Sequence, residues 1–455
     1  MLEVFLSCVT LAVGGTILGS FRFQRRRLQR RRKLVESFGF TVTKISSYTA
    51  LWLKLTARAD AVTLRIEDAV RRGYPIRITA AFPGPPGFSG VRIRREEDRP
   101  PGAREIEIGD DLFDGNFFVE GPTRLMSVLL NAETRGLLLQ LNSGGRLEIH
   151  RSEIRVDTYD GALPVLLPLV LNTIQRFSQE VDIAERLAEN AQQDTEAGVR
   201  LRNLLLLARE FPGDPRTAEA LRAGCTDESP QIRLRAAMEL GAEARDILLE
   251  FAESTEKTVS DEFSALAVSR LDRDLPFERT RAILNHALRK RRHQTARACL
   301  EVIGRSGDSA AAGLLEKVLE VEQGELAAAA AQALGTAGST ATEPVLITAL
   351  QRERTDIRVA AAKALGRIGS AAAVLPLKEA ERESRDDELR RALRQAIAEI
   401  QARLPGASAG QLSLAGAEAG QLSLAQAEAG QLSLATDQAG ELSLPPEGPE
   451  PPSPV

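Results

Sequence analysis

The sequence predicts a mainly α chain: an α-solenoid of stacked helix pairs preceded by an α+β domain, with a single N-terminal transmembrane helix and a disordered C-terminal tail. Three observations carry that prediction. A pattern of small residues ending in an apolar residue, usually followed by Gly, recurs at Leu240-Gly241, Leu271, Ile303-Gly304, Leu334-Gly335, Leu365-Gly366 and Ile397. The step is roughly 31 to 32 residues, inside the range of stacked helical arrays. From about Phe38 to Gln179 the apolar period drops to two, which argues for strands. An uncharged run occupies 4–21, and near-identical decamers fill the stretch after Pro405.

Val4 to Phe21 is about 18 residues without a charge, roughly 27 Å as a helix against a hydrocarbon core of about 30 Å. That length suffices for one span. Arg22, Arg25, Arg26, Arg27, Arg30, Arg31, Arg32 and Lys33 follow at once, and positive charge beside an apolar run marks the cytoplasmic side. A cleaved leader would carry its charge before the apolar run, whereas here Glu3 precedes it and no base does. Residues 1–36 are therefore expected to be an uncleaved anchor with a polybasic flank. That flank also attracts anionic lipid, at about 1 kcal/mol per residue near the surface. Arg far outnumbers Lys, which points to a bacterium with a GC-rich genome, so the expected location is its inner membrane, with the bulk of the chain in the cytoplasm.

Residues 37–190 read as the α+β domain. Val62–Ile66, Ile76–Ile78, Val91–Ile93 and Ile106–Ile108 alternate as strands, separated by Pro- and Gly-rich turns. Thr123–Leu130 and Ala132–Leu141 read as helices, Arg146–His150 and Glu153–Asp157 as a strand pair turning through Arg151-Ser152, and Ala162–Asn190 as one long helix. Asp110, Asp111 and Asp114 lie close enough to raise one another's pKa or to bind a hard cation. Their spacing fails the EF-hand pattern, however, and Asp and Asn beside Gly also make turns, while Phe113, Phe117 and Phe118 supply a core. The turn-and-core reading is the expected one. The stretch 105–121 resembles a segment of uncharacterised bacterial membrane-anchored proteins, which implies no chemistry.

Residues 191–404 carry the repeats. Ala and Leu at i, i+3 and i+4 make an apolar stripe on good helix formers, Gly335 and Gly366 stand where a helix needs a left-handed C-terminal residue, and Pro344 falls at a helix start. One hairpin cannot bury its stripe; stacking six or so does, and leaves an extended surface. Ile357 to Gly369, and less fully Leu326 to Gly338, resemble HEAT repeats of the short phycobilisome-lyase type. The resemblance implies protein–protein scaffolding and, more distantly, a bilin-lyase-like activity. The copy around Leu271 lacks the Gly.

Within the repeats, Arg289, Lys290, Arg291, Arg292 and His293 form a positive cluster, with Arg279, Arg281 and Arg297 nearby. Such charges contact phosphates or steer an acidic protein surface; equally, the helix dipole favours bases at a helix C-terminus. Residues 405–455 hold Leu412, Leu414, Leu422, Leu424, Leu432, Leu434, Leu442 and Leu444 as four Leu-Ser-Leu motifs, too few apolar residues for a core, so the tail is expected to be disordered. Each motif is a short peptide that adds as a strand or docks in a pocket, and four copies allow avidity.

The chain has 455 residues, net charge −4 and 4% aromatics, so it carries no global basic footprint for nucleic acid. Cys8, Cys225 and Cys299, like His150, His286 and His293, are scattered without ligand spacing, and no nucleophile, phosphate-loop or dinucleotide motif is present. No cofactor, metal, catalytic residue, nucleic acid or small-molecule substrate is therefore expected. The expected function is a membrane-tethered cytoplasmic scaffold that binds protein partners through the repeats and the tandem motifs, with partner candidates Arg289–Arg292 and the eight motif leucines. An enzyme acting at Asp110–Asp114, and nucleic-acid or anionic-lipid binding through Arg289–His293, are the alternatives.

Overall fold

The computed structural model describes residues 23–49, 52–68, 74–256, 258–403, 412–414 and 422–424. Its chain divides into two compact units, 1–302 and 303–455. The expected transmembrane run, 4–21, lies outside the described residues, and among those described no helix is long and apolar enough to cross a membrane.

The first unit begins with α1, over 23–37, and an antiparallel sheet of eight strands. The strands are β1 (Thr41–Thr49), β2 (Trp52–Ala59), β3 (Val62–Asp68), β4 (Ile76–Ala81), β5 (Arg92–Arg95), β6 (Phe117–Glu120), β7 (Arg146–His150) and β8 (Glu153–Thr158), in the order β1-β2-β3-β4-β8-β7-β5-β6. Period-two alternation explains the register. Ala57, Leu64, Ala80, Ile154, Ile149, Ile93 and Val119 form one buried row across the sheet, and Leu55, Ile66, Ile78, Val156 and Leu147 form a second. A slip of one residue would turn both rows to solvent. Beyond the second row, on the other face, Arg77 Nε donates to Asp157 Oδ1 at 2.6 Å from the directly opposed strand position.

Helices α2 (Asp111–Asp114), α3 (Thr123–Leu129), α4 (Ala132–Gly144), α5 (Leu163–Ser178) and α6 (Ile183–Gln193) complete this part. Two expectations are corrected here. Ala162–Asn190 is not one helix: Gln179 is extended, and Asp182 starts α6 by accepting from Glu185 N at 3.0 Å, a side-chain cap that replaces chain continuity. Ile106–Ile108 forms no strand, because Ile106 N reaches Val119 O at 2.9 Å but the Ile108 N–H is taken by the Asp114 carboxylate.

Helix pairs follow: α7 (Ala197–Glu210), α8 (Pro215–Gly224), α9 (Pro230–Leu240), α10 (Arg245–Glu253), α11 (Asp261–Leu271), α12 (Phe277–Lys290) and α13 (His293–Arg305), whose last turn belongs to the second unit. That unit contains α14 (Ala311–Val321), α15 (Glu325–Ala337), α16 (Glu343–Ala349, with Pro344 in its first turn), α17 (Thr355–Ile368), α18 (Val374–Glu383) and α19 (Asp387–Arg403). The alternate helices α9, α11, α13, α15, α17 and α19 carry the six anchors read from the sequence.

The anchor glycines do a different job from the one expected. Gly335 and Gly366 lie inside α15 and α17; the left-handed residue that ends α15 is Gly338, and α17 ends at Gly369 in extended backbone. A Cβ on Gly304 would sit 2.8 Å from Ala333 O, one on Gly335 2.7 Å from Ala364 Cα, and one on Gly366 3.0 Å from Ala396 Cα. They are the points where the backbones of α13, α15, α17 and α19 come closest, a constraint of packing rather than of dihedral angle. Long Arg side chains then cross to the carbonyls at the ends of neighbouring helices: Arg270 Nε to Met238 O at 3.1 Å, Arg352 Nη2 to Leu319 O at 2.9 Å, and Arg403 Nη2 to Gly369 O at 2.9 Å.

In the tail, β9 (Leu412–Leu414) and β10 (Leu422–Leu424) pair antiparallel with Ser413 opposite Ser423. The tail was expected to be disordered, and in these two motifs it is paired. Leu-Ser-Leu has the period of a strand, and two copies satisfy each other's backbone groups, although such a pair is marginal alone. The motifs at 432–434 and 442–444 lie outside the described residues.

Gly335→Ala should destabilise the second unit by about 1–3 kcal/mol, the usual cost of overpacking. Gly313, in the exposed face of α14 with nothing within 4 Å of an added Cβ, should respond oppositely: Gly313→Ala should stabilise by up to about 1 kcal/mol. Thermal melts of the two variants followed by circular dichroism check the sign of each shift.

Candidate functional site

The acidic triplet is consumed by local structure. Asp110 caps α2, its Oδ1 accepting from Phe113 N at 3.0 Å and its Oδ2 from Arg135 Nε at 2.7 Å. Arg135, 2% exposed on α4, also forks onto Asp194 at 2.9 and 2.8 Å and donates to Leu130 O at 3.0 Å. Asp114 turns back on the chain, accepting from Ile108 N at 2.9 Å and Gly109 N at 2.8 Å. Asp111 is exposed in the first turn of α2. Phe113, Phe117 and Phe118 are fully buried, the core role read for them from the sequence. Among the described residues no group of three His, Cys, Asp or Glu could hold a metal ion. Beside this turn, a Cβ on Gly109 would come within 2.5 Å of Gly198 C in α7, so the sheet domain meets the first repeat helix where two glycines allow it.

The positive cluster of the repeats separates into exposed and structural members. Arg291, at φ 56°, is the left-handed residue that ends α12, and Arg292 turns inward, donating to Ser254 O at 2.8 Å, to Val259 O and to Ser264 Oγ. Arg289 and Lys290 remain exposed, as does His293 at the start of α13. Arg279, Ile283, His286 and Arg289 follow one face of α12 at helical spacing, and with Ala252–Thr255 they line a groove of about 400 Å³. Glu253 is its one acid among the lining residues, 3.5 Å from Arg279. Burial and then the Arg289, Arg292 and Lys290 charges lower the pKa of His286, which keeps it neutral at pH 7. Arg279 is paired with Glu253, so the unpaired charge at the rim of the groove belongs to Arg289. His286 was not singled out with the cluster in the sequence; its three-residue spacing from Arg289 was the available signal. Cys8 lies outside the described residues; Cys225 and Cys299 are buried, and burial pushes the Cys299 thiol up to about 12.

The basic residues after the apolar run also divide. Arg22 lies outside the described residues. Arg25, Arg26 and Arg32 are exposed, Arg32 reaching Glu36 at 2.7 Å. Arg27 and Arg31 instead point into the sheet domain and share two carboxylates: Arg27 with Asp160 at 2.6 Å and Asp68 at 3.0 Å, Arg31 with Asp160 at 2.9 Å and Asp68 at 2.8 Å. Burial alone would raise the pKa of Asp160, but the Arg31 and Arg27 guanidiniums outweigh it and hold the carboxyl below its usual range. Arg30 and Lys33 are exposed beside this cluster.

Residues 314–398 match the family described as HEAT repeats. Those helix pairs are HEAT repeats. They run from α14 into α19, and HEAT repeats build solenoids of the protein-interaction kind. A comparison with curated proteins returns no match. Among solved structures, the human deoxyhypusine hydroxylase is similar at 17% identity and a TM-score of 0.22, over 48% of this chain and 96% of that one. The complex of CpcE and CpcF of phycocyanin lyase from Nostoc sp. is similar at 20% identity and a TM-score of 0.30, over 49% of this chain and 96% of that one. The mycobacterial trehalose monomycolate transport factor A is similar at 13% identity and a TM-score of 0.25, over 34% of this chain and 93% of that one.

Two tests follow from the buried charges. Arg135→Met strands Asp110 and Asp194 without their partner and should cost about 3–5 kcal/mol, while the exposed Asp111→Asn should stay within about 0.5 kcal/mol, both read from urea unfolding midpoints. Because the Asp160 pKa is lower folded than unfolded, its contribution is complete above the unfolded value near pH 4 and is lost as pH falls through the folded value. Asp160→Asn should therefore flatten the acid limb of a stability–pH profile and leave its slope above pH ~5 unchanged.

Proposed function

We propose that the protein is a membrane-tethered scaffold, anchored through 4–21 in a bacterial inner membrane with its repeats in the cytoplasm, and that the repeats hold an acidic segment of a protein partner. The observation that carries this reading is the groove on α12. It is cationic, with Arg279, Arg289 and Arg292 against the single acid Glu253, walled by Ile283, Ala282 and Ala287, and set on a HEAT-like helix pair. A strand-like acidic peptide would gain charge complementarity at its rim and apolar contact along its floor. The Leu-Ser-Leu motifs of the tail support a second contact by strand addition, since two of them already pair as strands.

In full-length protein within native membranes, a photo-crosslinking residue at position 289 should give protein adducts that one at position 111 does not. The charge reversals Arg279→Glu and Arg289→Glu together should remove those adducts and leave the thermal midpoint unchanged. Equal adducts from positions 289 and 111, or adducts that survive the reversals, would sink the reading. The tether has its own arm: the full chain should stay in the membrane pellet after an alkaline wash, and a chain lacking residues 1–22 should not.

A further inference from the structure

The stripe Phe23, Arg27, Arg30, Arg31 and Leu34 on α1 faces the start of α5 across a cleft of about 580 Å³, whose other wall is Asp160, Gly161, Leu163 and Pro164. The volume is that of a small-molecule site. Its lining is two-natured. Four bases, Arg27, Arg30, Arg31 and Lys33, stand against the single acid Asp160, while Phe23, Leu34, Leu163 and Pro164 are apolar. Around it, Phe23 is 59% exposed, Tyr159 53% and Val165 66%, large apolar side chains left in water beside a basic helix.

The charge balance inside the cleft is uneven. Asp68 and Asp160 are both already shared by Arg27 and Arg31, and neither Arg30 nor Lys33 has an ion-pair partner among the described residues. More telling is Arg31. Its side chain is 2% exposed, its Nε and Nη2 are satisfied by Asp160 and Asp68, and its Nη1 is buried with no hydrogen-bond partner among the described residues. A buried guanidinium N–H that makes no bond is an unfavourable arrangement in a molecule at rest. It is what a site looks like when the acceptor comes with the ligand. The first turn of α5 adds its positive dipole end to the same wall.

We propose that this cleft binds the phosphate headgroup of an anionic membrane lipid. A phosphate oxygen accepts from Arg31 Nη1, Arg30 and Lys33 neutralise the charge, and the first carbons of the acyl chains lie against Phe23, Leu34 and Leu163. This assigns one lipid to one shaped site, distinct from the diffuse attraction that any polybasic run exerts, and it is independent of the scaffold reading, which rests on α12.

The test is calorimetric titration of the full chain, solubilised in neutral detergent, with dihexanoyl phosphatidic acid, dihexanoyl phosphatidylcholine and inorganic phosphate. Phosphatidic acid should bind once per chain, at least about tenfold tighter than either of the others. The double variant Arg30→Ala, Lys33→Ala alters only exposed side chains and should weaken that binding about thirtyfold with an unchanged thermal midpoint. Phosphatidylcholine binding as tightly would make the site merely apolar, and inorganic phosphate binding as tightly would make it a free-anion site. Either result, or a double variant that binds like the wild type, overturns the proposal.

Discussion

Close approach of backbones, possible only where a side chain is missing, is the constraint on which both units depend. In the second unit, Gly304, Gly335 and Gly366 each leave a gap that an Ala of the next alternate helix fills. Helix spacing, and with it the burial of Leu334, Leu365 and Ile397, follows from that distance. In the first unit Gly109 and Gly198 let the loop before α2 press on α7, and the Arg135 fork onto Asp110 and Asp194 locks the same junction. Two missing Cβ atoms and one buried ion triad thus place the sheet domain against the first repeat. A buried triad is weak evidence for net stability but strong evidence for a specified geometry, because each partner is costly to leave alone.

The richness in Arg acquires a physical meaning from this packing. Arg270, Arg352 and Arg403 each span to the carbonyls that close a neighbouring helix, and Arg292 does the same for the segment after α10. A guanidinium reaches and forks where an ammonium does not. Positive charge that looks like a binding surface in the sequence is therefore partly internal scaffolding. What is left over on these two helices, after those roles are subtracted, includes Arg289 and Lys290 on α12 and Arg25, Arg26, Arg30 and Lys33 on α1, all exposed. Both helices border cavities.

The fold was largely legible in the residues. Strand alternation at Val62–Ile66, Ile76–Ile78 and Arg146–Asp157 reappears as the two buried rows of the sheet, since burial on one face is what alternation records. The edge hairpin of β1 and β2 was not distinguished, because β1 is mostly exposed and so carries little alternation to read. The break between α5 and α6 depended on one capping carboxylate, Asp182, in a run otherwise suited to helix. The site was less legible. Arg27, Arg30, Arg31 and Lys33 are one run of like charge in the chain, and only the fold brings Asp160 to Arg31 from 129 positions away.

The roughly 31-residue recurrence of apolar anchor and Gly is determined by the sequence alone, because periodicity states which positions a helix must bury, whatever it is buried against. What a periodicity does not contain is the identity of the partner across each contact. Whether Gly335 ends a helix or admits Ala364, and whether Arg31 meets solvent or two carboxylates, are decided by residues distant in the chain. Tertiary structure decided both, because packing distance and desolvation belong to pairs of residues and not to any one of them.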